Sequence, residues 1–381
     1  MDSATKLRVG MIGGGGGGNF FGGVHRRCIA FDATRTLVAG ALRSDPDEAM
    51  ESAEQIGVIG FADWQSMLQA CKDGDLGLDY VTIVTPNFAH YEPALAFVEA
   101  GIPVLCEKPM TMTVEEATDL KAAVEKNDVP FILAHTYTGH PMLMMAKEMI
   151  AAGDIGEVRK VESWYTQGWL ASALEKEGVQ QATWRTDPKK AGISCCGGDI
   201  GTHAFVDAAW TTGVGVKRVS ARLNTFVKGR PLDDDFNVIA ELENGGTAII
   251  TATQIAMGYK NDNGLRIYGT KGSIEWHQER AECLTVKREE YDETYWLGAN
   301  YSFFPESVGS YLRVPAGHME DFFEALSNLH CTMERHIRHR AGQDGVPAPF
   351  AHPGVAEGVA GMRFVEAAVE SSEGNGEWIE M

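Results

Sequence analysis

Residues 7–25 run Leu7-Arg8-Val9-Gly10-Met11-Ile12, then six glycines from Gly13 to Gly18, then Asn19-Phe20-Phe21-Gly22-Gly23-Val24-His25. The order reads as a buried strand, a glycine turn and a helix start. Glycine at such a turn admits φ > 0 and lets backbone N–H groups come close to a pyrophosphate, which the helix N-terminus also favours. Any glycine pattern is met automatically inside six consecutive glycines, so the weight rests on the flanking strand and helix. A flexible linker is the competing reading, but linkers rarely follow a buried strand.

Working outward, short apolar runs alternate with helical stretches as far as about residue 134. Strands are expected at Leu7–Ile12, Thr36–Ala41, Tyr80–Val84, Val104–Cys106 and Phe131–Ala134, with helices at roughly 22–32, 46–55, 63–72, 90–100 and 113–127. Alternation of this kind marks βαβ units and a parallel sheet, with ligand-binding breaks such as Thr85-Pro86-Asn87 and Glu107-Lys108-Pro109 at the strand ends. Beyond residue 134 the style changes to strands that follow one another: Val158–Tyr165, Val219–Phe226, Asn237–Leu242, Thr247–Gln254 and Leu265–Tyr268. Turns such as Asn244-Gly245-Gly246 point to a mostly antiparallel sheet, with helices near 200–212 and 317–330. The expected fold is therefore α/β: a dinucleotide-binding domain over residues 1–134 and an α+β domain over 135–381. A helix at about 353–372 is a candidate to pack back on the first domain.

A chain of 381 residues accommodates two such cores. The net charge of −20 argues against a nucleic-acid or anionic-membrane surface. No apolar stretch is long enough to span a bilayer and the N-terminus enters a strand directly, which leads to the expectation of a cytoplasmic protein. Seven cysteines without compact spacing read as reduced thiols, and the adjacent pair Cys195-Cys196 as packing residues.

The chemistry concentrates in three places. After the second strand, Arg43-Ser44-Asp45 stands where a dinucleotide site needs a ribose ligand; Arg43 and Ser44 suit a 2′-phosphate, or Arg43 stacks on adenine while Ser44 or Asp45 meets the ribose. Lys108, between Glu107 and Pro109, is positioned at a strand end to donate to a substrate oxygen. Asp199 and His203, four residues apart, would share a helix face, with the histidine as proton carrier and the carboxylate setting its tautomer or holding a neighbouring hydroxyl. Cys195, Cys196, Asp199 and His203 are also potential metal ligands, but lack a second pair at zinc spacing, and no metal is expected.

The glycine turn, Thr85-Pro86-Asn87 with His90, Glu107-Lys108-Pro109, Gly153-Asp154-Ile155-Gly156-Glu157-Val158, Trp184-Arg185, and Asp199 with His203 together resemble the glucose–fructose oxidoreductase / inositol dehydrogenase / rhizopine catabolism (Gfo/Idh/MocA) family over nearly the whole chain. Val38–Leu42, Tyr137–Pro141, Trp184–Pro188 and Pro315–His318 look most like its levoglucosan dehydrogenase and pyranoside 3-dehydrogenase branch. The resemblance implies hydride transfer between NAD(H), slightly favoured over NADP(H), and a secondary hydroxyl of a sugar, glycoside, anhydrosugar or cyclic polyol, with C3 a candidate carbon. It implies Lys108, His203 and Asp199 as catalytic residues. Cofactor contacts are expected from Gly13, Gly15, Gly17, Gly18, Asn19, Phe20, Arg43, Ser44, Thr85, Pro86, Asn87, His90, Glu107 and Lys108. Substrate contacts are expected from Lys108, Tyr137, Gln167, Trp169, Arg185, Asp199, His203 and His318, in which aromatic and polar groups suit a sugar's apolar face and hydroxyl rim. A homodimer or homotetramer is expected. Two departures stand out: His25 follows Gly13 at a longer spacing than in the family, and Arg43 occupies a place where NAD-specific relatives often carry Asp. An NAD-dependent glycosidase and a non-catalytic sugar or dinucleotide sensor are the alternatives.

Overall fold

The structure, a computed structural model, describes residues 5–16 and 20–381. The chain forms two compact units. In the first, six parallel strands, β1 (Leu7–Gly13), β2 (Arg35–Ala41), β3 (Ile59–Gly60), β4 (Tyr80–Val84), β5 (Val104–Cys106) and β6 (Phe131–Leu133), lie in the order β3-β2-β1-β4-β5-β6. Every residue of β4 and β5 is buried, as expected of a parallel sheet covered on both faces. The order reverses between β1 and β4, which places the crevice for a ligand at the carboxyl end of β1. The two-residue strand β3 has no apolar run to announce it.

The first unit also takes in Phe322–Ala356, which the sequence assigned to the second domain. The helix Phe322–Arg340 brings Leu326, Leu329 and Met333, on one face of the helix, into a single core with Val9, Cys28, Tyr80, Leu105 and Ile132. Arg35 fastens it further: its buried guanidinium donates to Glu334 at 2.7 Å and to Asp32 at 2.8 Å. The helix was expected at 317–330 and runs instead over Phe322–Arg340, its last turns holding only Met333 and Ile337 as apolar residues among charged and polar ones.

In the second unit nine strands are ordered β14-β13-β12-β11-β7-β10-β9-β8-β15. They are β7 (Val158–Thr166), β8 (Val216–Asn224), β9 (Asp235–Leu242), β10 (Thr247–Thr253), β11 (Asp262–Gly269), β12 (Ser273–His277), β13 (Cys283–Lys287), β14 (Asp292–Trp296) and β15 (Ile379–Glu380). Only β7 and β10 pair in parallel. The hairpin between β9 and β10 closes on Asn244-Gly245, with Gly245 at φ 84°. Strict alternation buries Phe236, Val238, Ala240 and Leu242 of β9 and leaves Ile239 half-exposed. Against the buried face pack the helices Thr202–Thr212 and Val355–Glu373, whose Phe205 and Phe364 rings stack at 4.3 Å while Phe364 meets Phe236 at 5.7 Å. The helix expected to return to the first domain is therefore bound by its aromatic core to the second.

Candidate active site

At the end of β1 the chain turns through Gly13, Gly14 and Gly16, with φ of 77°, 74° and 83°. Gly22, in the helix Phe20–Ala30, lies so close to Gly14 that a Cβ there would overlap its backbone carbonyl, which seats the helix start directly over the turn. The Gly14 carbonyl accepts from Arg26 Nη1 at 2.6 Å. The Gly15 N–H donates to the Leu42 carbonyl at 3.0 Å. Gly15 is thus a brace between β1 and β2 whose amide is already spent, not the phosphate donor the sequence suggested. Gly17, Gly18 and Asn19 lie outside the described residues.

Arg43 lays its guanidinium over Gly16, where any Cβ would collide with it, and its buried Nε has no hydrogen-bond partner among the described residues. Ser44 is exposed beside it. Asp45 is committed elsewhere: it caps the helix Pro46–Ile56, accepting from the N–H groups of Asp47 and Glu48 at 3.0 Å each. A glycine cradle flanked by an unsatisfied buried donor fits the pyrophosphate and adenosine end of a dinucleotide. Phe20 is exposed at the helix start, its ring stacked on Phe322.

The next loops are tied to one another. Thr85 Oγ1 donates to the Ala89 carbonyl at 3.0 Å, Pro86 is exposed and Asn87 is buried. His90, expected at the cofactor, is fully buried, with Nδ1 2.7 Å from the Pro109 carbonyl and Nε2 2.9 Å from the Thr85 carbonyl. Burial lowers its pKa against the pull of those carbonyls, and a neutral ring donates to only one of them. Its role is to join the Thr85 loop to the Lys108 loop. Glu107, also expected at the cofactor, is likewise buried. Its Oε1 accepts from His25 Nε2 at 2.8 Å and its Oε2 from the Lys108 N–H at 3.2 Å. Lys108 itself is half-buried, and the Lys108–Pro109 peptide is cis. Tyr137 lies in a short turn, 3% exposed.

In the second unit, Asp199 sits in a π-helical turn, Gly197–Gly201, that runs into the helix Thr202–Thr212. The turn is held from beneath. Asp233 accepts the Cys195 N–H at 2.9 Å and the Gly197 N–H at 3.0 Å, while Phe236 packs so tightly on Gly197 that no side chain fits there. Burial pushes the Asp233 carboxyl up, and the two backbone donors oppose that. Asp199 Oδ2 accepts from Arg185 Nε and from Gln254 Nε2, both at 2.9 Å. Arg185 in turn covers the Trp184 ring at 4.1 Å and faces the Trp169 ring at 5.7 Å. His203 is 5% exposed, its ring edge-on to Tyr165 at 5.8 Å.

Around these runs a ladder of amides and aromatics. Trp169 Nε1 donates to Gln167 Oε1 at 3.0 Å, and Asn261 Oδ1 accepts from Gln167 Nε2 at 2.6 Å and from Tyr165 Oη at 2.9 Å. Sequence reasoning named Gln167, Trp169 and Arg185 but missed Tyr165, Gln254, Asn261 and Asp233. Long-range hydrogen bonds have no local signature, although the polar cluster Lys260-Asn261-Asp262-Asn263 opening a strand was a visible anomaly. His318 is exposed on a turn and donates to the carbonyl of Pro315 at 3.0 Å, within its own loop. Cys195 and Cys196 are buried, with thiols pushed up by that burial, and no His, Cys, Asp or Glu group among the described residues is arranged to hold a metal.

Residues 7–135 match the family described as "Oxidoreductase family, NAD-binding Rossmann fold", and residues 143–275 match the "GFO/IDH/MocA C-terminal domain". The chain belongs to the Gfo/Idh/MocA oxidoreductase family. Its relatives within Gfo/Idh/MocA include the oxidoreductase YfiI of Bacillus subtilis, 30% identical and aligned over 98% of this chain and 96% of that one. Levoglucosan dehydrogenase of Pseudarthrobacter phenanthrenivorans is 30% identical over 74% of this chain and 76% of its own. The crystal structure of an inositol dehydrogenase homolog complexed with NAD+ from Azotobacter vinelandii superposes with a TM-score of 0.89 at 29% identity, covering 99% of this chain and 98% of that one. Like other Gfo/Idh/MocA members, this protein is an oxidoreductase whose first unit is an NAD-binding Rossmann domain. No helix among its described residues is long and apolar enough to cross a membrane.

Proposed function

We propose that the protein is a dehydrogenase acting on a secondary hydroxyl of a sugar, anhydrosugar or cyclic polyol, with NAD preferred over NADP. One observation carries this reading: a carboxylate, Asp199, pinned by two donors on the turn that leads into His203, bordered by the aromatic and amide ladder of Trp169, Gln167, Asn261 and Tyr165. Aromatic faces beside fixed amides match a ring with one apolar face and a rim of hydroxyls. The relatives named for levoglucosan and inositol support the same substrate class.

The bound nicotinamide supplies the hydride acceptor or donor. Gly13, Gly14 and Gly16 leave room for the pyrophosphate, and Arg43 takes the adenosine end. His203 carries the hydroxyl proton as oxidation proceeds, Lys108 donates to the reacting oxygen, and Asp199 holds a neighbouring hydroxyl. Gln167, Trp169 and Arg185 line the ring. His90, Gly15 and Glu107 support these groups from behind.

A panel of inositols, glycosides and anhydrosugars, assayed for change in nicotinamide absorbance after any tightly bound cofactor has been quantified, tests the proposal. Reduction of NAD by at least one member of the panel is expected. Glycoside cleavage with no net NAD turnover would transfer the reading to an NAD-dependent glycosidase, and substrate binding with neither reaction to a sensor.

A further inference from the structure

Behind the Glu107-Lys108-Pro109 loop, within the first unit, lie three fully buried titratable side chains: Tyr80 on β4, His330 in the helix Phe322–Arg340 and His25 in the helix Phe20–Ala30. Their polar atoms succeed one another at hydrogen-bond distance. Tyr80 Oη is 2.9 Å from His330 Nδ1, His330 Nε2 is 3.2 Å from His25 Nδ1, and His25 Nε2 is 2.8 Å from Glu107 Oε1. Thr82 Oγ1 stands 3.5 Å from His25 Nδ1.

The donors can be ordered. Burial works against ionisation of Glu107, yet the hydrogen bond from His25 and the charge of Lys108 hold its pKa below the ordinary carboxyl value, so the chain ends on an acceptor. A proton therefore belongs on His25 Nε2, and the direction of the other two contacts is set from the tyrosine end. The Tyr80 O–H meets His330 Nδ1 at 2.9 Å, so His330 donates from Nε2 and His25 Nδ1 accepts. Burial holds His330 well below its ordinary range, so it carries one proton only and its Nδ1 accepts. Tyr80, whose hydroxyl is pushed up by burial, keeps its proton and starts the series.

We propose that Tyr80 and His330 are positioning residues for the Lys108 loop: a one-way series of donors, Tyr80 O–H to His330, His330 Nε2–H to His25 and His25 Nε2–H to Glu107, fixes the carboxylate that holds the Lys108 backbone N–H. The helix carrying His330 is itself anchored four residues further on, where Glu334 accepts from buried Arg35. A residue more than two hundred positions away in sequence thereby sets the loop, and within this series neither imidazole can be turned around without facing donor to donor or acceptor to acceptor. The consequence for turnover rests on the reading of Lys108 as a catalytic residue.

Two readouts test the series on the protein without substrate. Imidazole nitrogen-15 resonances should show both His25 and His330 protonated at Nε2 and bare at Nδ1; a doubly protonated His25, or a His330 carrying its proton on Nδ1, would overturn the ordering. Hydrogen exchange of the segment 104–110 should rise about tenfold in His330→Leu, the scale of one lost buried hydrogen bond, and stay within about threefold of wild type in His330→Gln, whose amide N–H reaches the same acceptor. Met333→Ala, in the same core, supplies a destabilised control in which 104–110 should exchange as in wild type. Equal exchange in His330→Leu and Met333→Ala would reduce His330 to ordinary packing. Should His330→Leu not fold, Tyr80→Phe provides the smaller change, with a rise of about threefold expected and no rise counting against the proposal. With a substrate in hand, His330→Leu should lower kcat with KM and NAD affinity unchanged. Loss of turnover in Lys108→Ala but not in His330→Leu would overturn the positioning role alone, and retained turnover in Lys108→Ala would overturn the assignment of Lys108 alone.

Discussion

Lys108 and His203 stand in surroundings that suit different tasks. Lys108 is half-buried on a loop gripped by Glu107 and His90, and His203 is almost wholly enclosed against Tyr165. Lys108→Ala and His203→Ala are each expected to lower turnover by about 10²-fold or more while NAD affinity stays within a few-fold, measured by steady-state kinetics and cofactor titration. Arg43 is the residue proposed for the other end of the dinucleotide. Arg43→Asp should abolish most NADP use through repulsion of the 2′-phosphate; comparing kcat/KM for the two cofactors checks it, and a wild type that strongly prefers NADP would refute the expected preference. Asp207, one turn beyond His203, gives a pH prediction. Burial raises its carboxyl pKa to about 7 against the hydrogen bond from Asn263 Nδ2 at 2.9 Å, and Asp207 Oδ1 and Asn263 Oδ1 are both buried without partners among the described residues. A proton on Asp207 removes a buried charge that the single amide donor offsets only in part. With the folded pKa above the unfolded one, the stabilisation is complete below about pH 4 and is lost as pH rises to about 7, an effect of up to about 4 kcal/mol. Asp207→Asn should therefore gain stability relative to wild type between pH 4.5 and 8, and parallel denaturation curves across that range would contradict it. Lys108, Asp199 and His203 were named from the sequence because loop position and spacing suggest a role. Asn263 and Gln254 were not, since their meaning lies in partners more than fifty residues away.

Among the elements, the π-helical turn Gly197–Gly201 is the one whose form the sequence hid. One extra residue per turn leaves no mark on apolar periodicity, and a glycine-rich segment has little periodicity to read. Its support is Asp233, so Asp233→Ala should cost about 1–3 kcal/mol through two orphaned buried amides and lower turnover further than NAD affinity. Thermal unfolding with NAD titration separates the two effects, and an unchanged melting temperature would show that the turn holds itself. Apart from β3, the strands of the first sheet were readable because each is built on a short apolar run. β12, β13 and β14 were not: they are short, alternate polar with apolar residues, and carry charges such as Glu275, Lys287 and Asp292. Helix Val355–Glu373 was visible as a helix, but the ring contacts of Phe364 that decide where it packs are long-range.

On the scale of the whole molecule, the second sheet is covered on one side by helices, while its other register carries Trp164, Ile239 and Ile249 among Lys160, Glu162, Asn237 and Glu241. The apolar side chains on that uncovered register are surface that a second subunit would bury. The protein is expected to form a dimer or tetramer through it; light scattering at micromolar concentration should give a multiple of 41.4 kDa, and Ile239→Lys should lower it. A single-chain mass for wild type would end that expectation.

The first unit is not one continuous piece of chain, since it closes only when Phe322–Ala356 joins the residues before Gly139. A gene fragment ending near residue 139 would encode every strand of the nucleotide sheet yet leave Val9, Cys28 and Leu105 without Leu326, Leu329 and Met333 against them. Recombination between members of the family therefore cannot trade cofactor preference as a single cassette at one crossover. A working graft needs two junctions, one ahead of the second unit and one after it, and the late segment has to travel with the early one.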